Sequence, residues 1–153
     1  MKRGSTLPIL GATWAIVLAA GDGTRLRDLT VDRHGKAVPK QYCTLRGGRT
    51  LLGDALQRAQ MVALPERVVV VVAAQHWEWW EPELASLPRA NLIVQPQNRG
   101  TASGILLPLL SIVERDRAAR IAVFPSDHFI QDEPVLERAM NAEQDEFCIR
   151  QIV

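Results

Sequence analysis

The chain has 153 residues, about the length of one domain, and 47% of them are hydrophobic, which excludes a disordered or low-complexity protein. Its 18 lysines and arginines nearly balance 17 aspartates and glutamates, so no overall basic field would recruit nucleic acid or an anionic membrane. The positive charge is concentrated early, because residues 1–60 carry ten basic and four acidic side chains, whereas residues 129–153 carry two and six. Any electrostatic function must therefore be local.

The cysteines and the first apolar run help to predict the cellular compartment of the protein. Cys43 and Cys148 lie far apart and match no metal-binding spacing, so we expect neither a metal cluster nor a disulfide framework, and we expect a cytoplasmic protein. Residues 7–20 follow Lys2 and Arg3 and end in small residues, which outwardly resembles a signal peptide. A run of 14 residues is too short to span a bilayer. We favour a buried strand, because the run continues into a glycine loop that cleavage would destroy.

In chain order, the first predicted elements are a strand over residues 14–19 and an amphipathic helix over about 50–62, with Thr50 as a possible N-cap. Residues 67–73 contain five consecutive valines, which is typical of a parallel strand covered on both faces. A helical pattern over 76–87 follows, broken by Pro82. Its three tryptophans form either an interaction patch or core packing; they are Trp77, Trp79 and Trp80.

Two further strands and two further helices complete the pattern. The strands are predicted over 91–94 and 120–124, and the helices over 102–117 and about 133–143. Pro108 is expected to bend or interrupt the helix over 102–117. This alternation predicts one α/β domain over 1–153, with a Rossmann-like, three-layer architecture and a mostly parallel sheet.

Unusual residues follow three of the predicted strands. Residues 21–25 follow the first strand, 95–101 the third and 126–128 the fourth. Ligands of such sheets bind at the carboxyl ends of the strands. The sequence therefore predicts one binding site at that edge.

The first of these loops suits an anion. Gly21 and Gly23 permit positive φ and close approach of a ligand, so that consecutive N–H groups can point at a phosphate, and Arg25 adds a planar donor fork. The alternative is a plain strand-to-helix turn. A dinucleotide fingerprint would need a third small residue where Leu26 stands, and a Walker A loop would need Ser or Thr where Ala37 follows Gly-Lys.

Two other side chains are candidate ligand-binding or metal-binding residues on chemical grounds. Lys40 lies on a segment stiffened by Pro39, although a single lysine is also compatible with solvated surface. Asp127, at the end of the fourth strand, suits Mg²⁺ held against nucleotide phosphates, since Mg²⁺ prefers hard oxygen ligands. Its alternative role is to cap the following turn. His128 either positions Asp127, contacts substrate, or is structural.

Four stretches together resemble the sugar-1-phosphate nucleotidyltransferases. Residues 19–26 (AAGDGTRL) and 39–40 (PK) resemble the superfamily signature. The stretches 39–42 (PKQY), 95–102 (QPQNRGTA) and 124–130 (FPSDHFI) resemble the mannose-1-phosphate guanylyltransferase branch most. The resemblance covers residues 14–139. It implies that a sugar-1-phosphate oxygen attacks the α-phosphorus of a nucleoside triphosphate, with GTP favoured, and releases pyrophosphate.

The resemblance also implies roles for individual residues. Arg25 would stabilise the β- and γ-phosphates, and Lys40 would bridge the attacking phosphate and the α-phosphate. Asp127 would hold Mg²⁺, the implied cofactor. The implied nucleotide-binding residues are Ala20, Gly21, Gly23, Thr24, Gln95, Gly100 and Thr101.

The chain departs from the family in two ways. Gly100 stands where many members of the mannose branch have asparagine, which bears on the choice of base. Family catalytic domains are about twice this length, and their later half supplies the sugar-binding loops and a second metal-binding aspartate, so the chain is expected to be truncated and to self-associate or need a complementing chain. The alternatives are a regulatory nucleotide-binding module, a transferase for another sugar-1-phosphate, and an unrelated domain that binds a phosphorylated metabolite.

Overall fold

The computed structural model describes residues 13–21, 30–31, 35–44, 47–97 and 99–143. Within these ranges four strands alternate with helices in the predicted order. The strands are β1 (Thr13–Ala19), β2 (Val68–Ala73), β3 (Leu92–Gln95) and β4 (Arg120–Pro125), and the helices are α1 (Leu51–Gln60), α2 (Trp77–Glu83), α3 (Gly100–Arg115) and α4 (Glu133–Glu143).

The four strands form one parallel sheet in the order β3-β2-β1-β4. The chain first builds the sheet in one direction from β1 to β3 and then returns across it, so that β4 pairs with the free side of β1. This reversal creates a crevice at the carboxyl ends of β1 and β4, the position at which open α/β sheets bind ligands. The predicted parallel α/β fold is confirmed.

Alternate side chains of β1 build two separate cores. Ala15 and Val17 pack on the face covered by α1, together with Leu52 of that helix. Trp14 and Ile16 pack on the opposite face together with other buried residues, among them Ile112 of α3. Helices therefore cover both faces of the sheet, which gives the three layers predicted from the sequence.

The helix boundaries follow from local chemistry. Thr50 caps α1 as predicted, since its hydroxyl oxygen accepts a hydrogen bond from the Gly53 N–H at 2.9 Å. The α3 helix begins at Gly100, two residues before the predicted start, and it runs without interruption through the buried Pro108. Of the two effects expected of Pro108, a bend or an interruption, the interruption does not occur. Pro82 likewise lies inside α2, near its end.

The amino ends of the strands are fixed by a polar cluster around Trp14. Its indole N–H donates to Asp116 at 3.1 Å, and Arg67 pairs with the same carboxylate oxygen at 2.9 Å. The guanidinium of Arg115 lies 4.4 Å from the indole ring centroid and also donates to Asn91. These contacts stabilise the edge of the sheet opposite the crevice.

One apolar surface is left uncovered. Leu106, Leu107, Leu110 and Val113 of α3 are 42–58% exposed, and Val123 of the edge strand β4 is 41% exposed.

No helix in the described ranges is long and apolar enough to cross a membrane.

Candidate functional site

A cavity of about 300 Å³ opens at the carboxyl ends of the strands. Residues at the ends of β1 and β4 form one part of its wall, and the first turn of α3 forms another. Its lining combines apolar side chains with polar and charged groups. The lining residues are Leu18, Ala20, Gly21, Lys40, Gln41, Val71, Gln95, Gly100, Thr101, Gly104, Pro125, Ser126 and Asp127.

The structure therefore brings together most of the site residues predicted from four separate stretches of sequence. Ala20 and Gly21 follow β1, Lys40 lies on a short turn, and Asp127 follows β4; all four line the cavity. Gln95, Gly100 and Thr101 line it from the side of β3 and α3. The predicted phosphate-binding residues Gly23, Thr24 and Arg25 lie outside the described residues. The roles of all these residues stay predictions.

Gly21 differs from the expectation in one respect. Its φ does not lie in the left-handed region, so the backbone conformation at this position does not itself require glycine. A Cβ added there would meet no heavy atom of the described residues within 4 Å, which leaves open space beside the backbone. The close approach expected at Gly21 thus has room, and the positive φ that glycine permits is not adopted there.

Positive φ occurs instead at Gly100, where φ is +81° at the first residue of α3. Glycine adopts this conformation freely, and asparagine adopts it more readily than most other residues. The replacement of asparagine by glycine, noted above as a departure, therefore retains the ability to form this turn while it removes one polar side chain from the cavity lining.

Lys40 and Asp127 face each other at the mouth of the cavity. The Lys40 Nζ lies 3.4 Å from Asp127 Oδ2, and His128 Nε2 lies 3.7 Å from Asp127 Oδ1. The side chains of Lys40 and Asp127 are 32% and 49% exposed, so water screens their attraction and leaves both groups accessible to a ligand. The first turn of α4 is capped by Asp132, which accepts from the Val135 N–H at 3.1 Å. The alternative role of Asp127, to cap the turn that follows it, stays a prediction.

Gln41 fixes the turn that carries Lys40, a role the sequence analysis missed. Its buried side-chain amide donates to the carbonyl oxygens of Ala19 and Gly21, both at 3.0 Å. It thereby ties the turn to the loop that follows β1. The position next to a motif lysine is the only sequence signal for this role, since a glutamine beside a loop reads equally well as surface.

Aromatic packing holds the same turn from the other side. Tyr42 stacks on Trp79 of α2 with ring centroids 6.3 Å apart, and burial raises the pKa of its phenol, with a further contribution from Glu83. Trp80 is buried and donates to the Ala73 carbonyl. Two of the three clustered tryptophans are therefore packing residues, whereas Trp77 is 59% exposed.

The donor set around Asp127 decides what kind of metal it suits. Among the residues that the structure describes, no group of three His, Cys, Asp or Glu side chains converges into a closed metal cage. A single accessible carboxylate beside an open cavity fits Mg²⁺, because this ion is commonly held by one or two carboxylates together with phosphate oxygens and water.

Comparisons with known proteins agree with this geometry. The family model described as nucleotidyl transferase matches residues 14–151. An alginate biosynthesis protein AlgA from Pseudomonas syringae is 31% identical over 127 residues, which is 82% of this chain and 25% of AlgA. A mannose-1-phosphate guanylyltransferase from Escherichia coli is 27% identical over 132 residues, or 84% of this chain and 27% of the enzyme. The chain spans about a quarter of the length of these relatives.

Solved structures show the same fold. A Thermus thermophilus protein described as a mannose-1-phosphate geranyltransferase superposes with a TM-score of 0.70 and 28% identity over 86% of this chain and 37% of its own. A Helicobacter pylori mannose-6-phosphate isomerase superposes with a TM-score of 0.60 over 88% of this chain and 46% of its own. At 22% sequence identity, this similarity shows the fold alone.

Proposed function

We propose that this chain, which belongs to the nucleotidyl transferase family, binds GTP and mannose 1-phosphate. It transfers the guanylyl group from GTP to mannose 1-phosphate, and the products are GDP-mannose and pyrophosphate. The names of the Escherichia coli relative and of a putative mannose-1-phosphate guanylyltransferase from Vibrio cholerae, 25% identical over 128 residues, support this choice of substrates.

One observation carries the proposal. Residues from three stretches of the chain, around positions 20, 40 and 127, surround one cavity, and there a cation and a carboxylate lie 3.4 Å apart at the mouth. A triphosphate needs a cationic side chain for its oxygens, and its metal needs a carboxylate. Lys40 and Asp127 supply this pair at the sheet edge where α/β folds bind ligands.

The transfer is a displacement at phosphorus. An oxygen of the sugar phosphate forms a bond to the α-phosphorus, the bond from that phosphorus to the β-phosphate oxygen breaks, and pyrophosphate leaves with the electron pair. No covalent enzyme intermediate is required, so the chain contributes positioning and charge neutralisation. We assign Lys40 to the attacking phosphate and the α-phosphate, and Arg25 to the β- and γ-phosphates.

We assign Asp127 to Mg²⁺, which when bound neutralises phosphate charge. The nucleotide would lie along the edge formed by Ala20 and Gly21, with the loop residues Gly23 and Thr24 donating backbone N–H groups to its phosphates. The base would lie towards Gln95 and Thr101. Gln95 is 6% exposed and lines the cavity, so its amide is well placed to discriminate between donor and acceptor edges of a base.

A second candidate function is nucleotide binding without transfer. It is favoured by the size of the cavity, whose volume of about 300 Å³ lies at the lower end for ligand sites. Transfer to another sugar 1-phosphate uses the same residues and differs only in the acceptor.

We further propose that the chain self-associates. Leu106, Leu107 and Leu110 of α3 are exposed, and the edge strand β4 has no neighbour on its outer side among the described residues. An exposed apolar patch and an unpaired strand each favour association with another polypeptide surface.

The proposal is tested by titrating the purified chain with GTP in the presence of Mg²⁺ and then measuring pyrophosphate release with mannose 1-phosphate. Binding with release supports the transferase. Binding without release supports the binding module, and the same release assay with other sugar 1-phosphates identifies a different acceptor. A folded chain that binds no nucleoside triphosphate contradicts both candidate functions.

A further inference from the structure

Arg58, which lies outside the cavity lining, is a buried cation on α1. Its side chain is only 4% exposed. A buried guanidinium is costly unless hydrogen bonds and an opposite charge compensate it, so its partners indicate what it holds in place.

The Arg58 guanidinium bonds to both ends of the segment that follows β4. One nitrogen, Nη2, donates to the carbonyl oxygen of His128 at 3.1 Å, and the other, Nη1, donates to Glu133 Oε1 at 2.8 Å. Arginine can make both bonds at once because its donors form a rigid planar fork. Residues 128–133 are thereby tied to α1, which lies 70 or more positions earlier in the chain.

The other side of Asp127 is anchored independently. The backbone N–H of Ser126 donates to the Leu18 carbonyl at 3.2 Å, and its hydroxyl donates to the same oxygen at 2.6 Å. Asp127 therefore lies between an anchor on β1 and an anchor on α1. Its own carboxylate, 49% exposed, points to neither anchor and instead contacts Lys40 and His128.

We infer that Arg58 is a positioning residue for Asp127. By holding the His128 carbonyl, Arg58 fixes the backbone on the far side of Asp127 and keeps the carboxylate opposite Lys40. Arg58 does not itself touch the ligand. The inference rests on the proposed function, since it assigns Arg58 to the metal-binding side of the nucleotide site.

A double comparison separates positioning from general stabilisation. The Arg58→Lys variant retains the charge but has a single donor group in place of the fork. The matched control is Arg67→Lys, which weakens an arginine–carboxylate pair, Arg67 with Asp116, at the opposite edge of the sheet. GTP affinity is measured by calorimetry for both variants, with Mg²⁺ and again with the metal chelated.

For Arg58→Lys we expect the Mg²⁺-dependent affinity for GTP to fall about tenfold, because loss of a group that orients a metal ligand typically costs about 10- to 100-fold in metal affinity. The metal-free affinity should stay within about twofold of the parent, and Arg67→Lys should change neither value. Equal losses with and without Mg²⁺ would overturn the inference.

A thermodynamic cycle tests whether Arg58 acts through Asp127. In an Asp127→Ala background, Arg58→Lys should cause no additional loss of Mg²⁺-dependent affinity. Losses that add independently would overturn the positioning role.

Hydrogen exchange of the ligand-free protein gives a readout independent of nucleotide binding. The amides of residues 127–132 should exchange faster in Arg58→Lys than in the parent and in Arg67→Lys. If Arg58→Lys does not fold, Glu133→Gln takes its place, with a smaller change expected in the same direction; unchanged exchange and affinity there would overturn the inference. A parent that binds no GTP contradicts the proposed function, and exchange alone then decides whether Arg58 holds this segment.

Discussion

Removal of the Lys40 ammonium gives the sharpest test of the proposed phosphate contact. A hydrogen bond to a charged group contributes about 1.5–3 kcal/mol. Lys40 must first leave Asp127, 3.4 Å away, and a solvent-exposed ion pair of this kind is worth up to about 1 kcal/mol. The difference, about 0.5–2 kcal/mol, corresponds to an affinity for GTP with Mg²⁺ that is about 2- to 30-fold lower in Lys40→Ala.

The chain offers a matched control four residues earlier. Lys36 pairs with Glu78 at 2.5 Å and lies 4.9 Å from the centroid of the Trp79 ring, and it is not among the residues that line the cavity. Lys36→Ala removes the same charge and should leave GTP affinity within about twofold of the parent, since screening limits the reach of exposed charges to about 8 Å at physiological salt. Calorimetric titration measures both variants, and thermal unfolding confirms that both are folded. An unchanged affinity in Lys40→Ala, or an equal loss in Lys36→Ala, would refute the reasoning.

Three further predictions concern the metal, acid stability and association. Asp127→Asn should abolish the increase in GTP affinity that Mg²⁺ produces, and calorimetry in which that increase persists would remove Asp127 from the metal site. The hydrogen bond from Trp14, with smaller contributions from the Ala118 N–H and Arg67, lowers the pKa of Asp116 below its ordinary value of 3.8. Its contribution to stability is therefore present above that pH and is lost as the pH falls through the folded-state pKa. Asp116→Asn should therefore lower the urea midpoint at neutral pH and flatten its acid dependence; a profile parallel to the parent would contradict this. Replacing both Leu106 and Leu110 with Glu should shift the sedimentation distribution towards monomer, and an unchanged distribution would show that another surface associates.

The fold could be predicted from the sequence because its signals are local. The five valines of β2 are all buried, as expected for a strand covered on both faces. The strands differ from their predicted bounds by one residue or so, and Thr50 caps α1. The choice between a bend and an interruption at Pro108 was not predictable, because sequence alone does not reveal whether packing on the sheet outweighs the loss of one helical hydrogen bond.

The site was predictable to the extent that it depends on topology. Parallel strands bring their carboxyl ends to one edge, so the loops after β1, β3 and β4 had to meet there. Contacts between residues far apart in the chain had no signal in the sequence that would have predicted them. Arg58 lies on an amphipathic helix, where an arginine is normally taken for solvated surface, and its partners are 70 and 75 residues away. Of the two glycines Gly21 and Gly100, Gly100 has the left-handed backbone conformation, because the turn that requires it lies at the start of α3.

The most direct test of the account is calorimetric titration of the folded chain with GTP, with and without Mg²⁺. We predict saturable binding that is tighter with Mg²⁺, weakened by Lys40→Ala and left unchanged by Lys36→Ala. A chain that is folded by circular dichroism yet binds no GTP under either condition would contradict the claim that the cavity beside Lys40 and Asp127 is a nucleotide site.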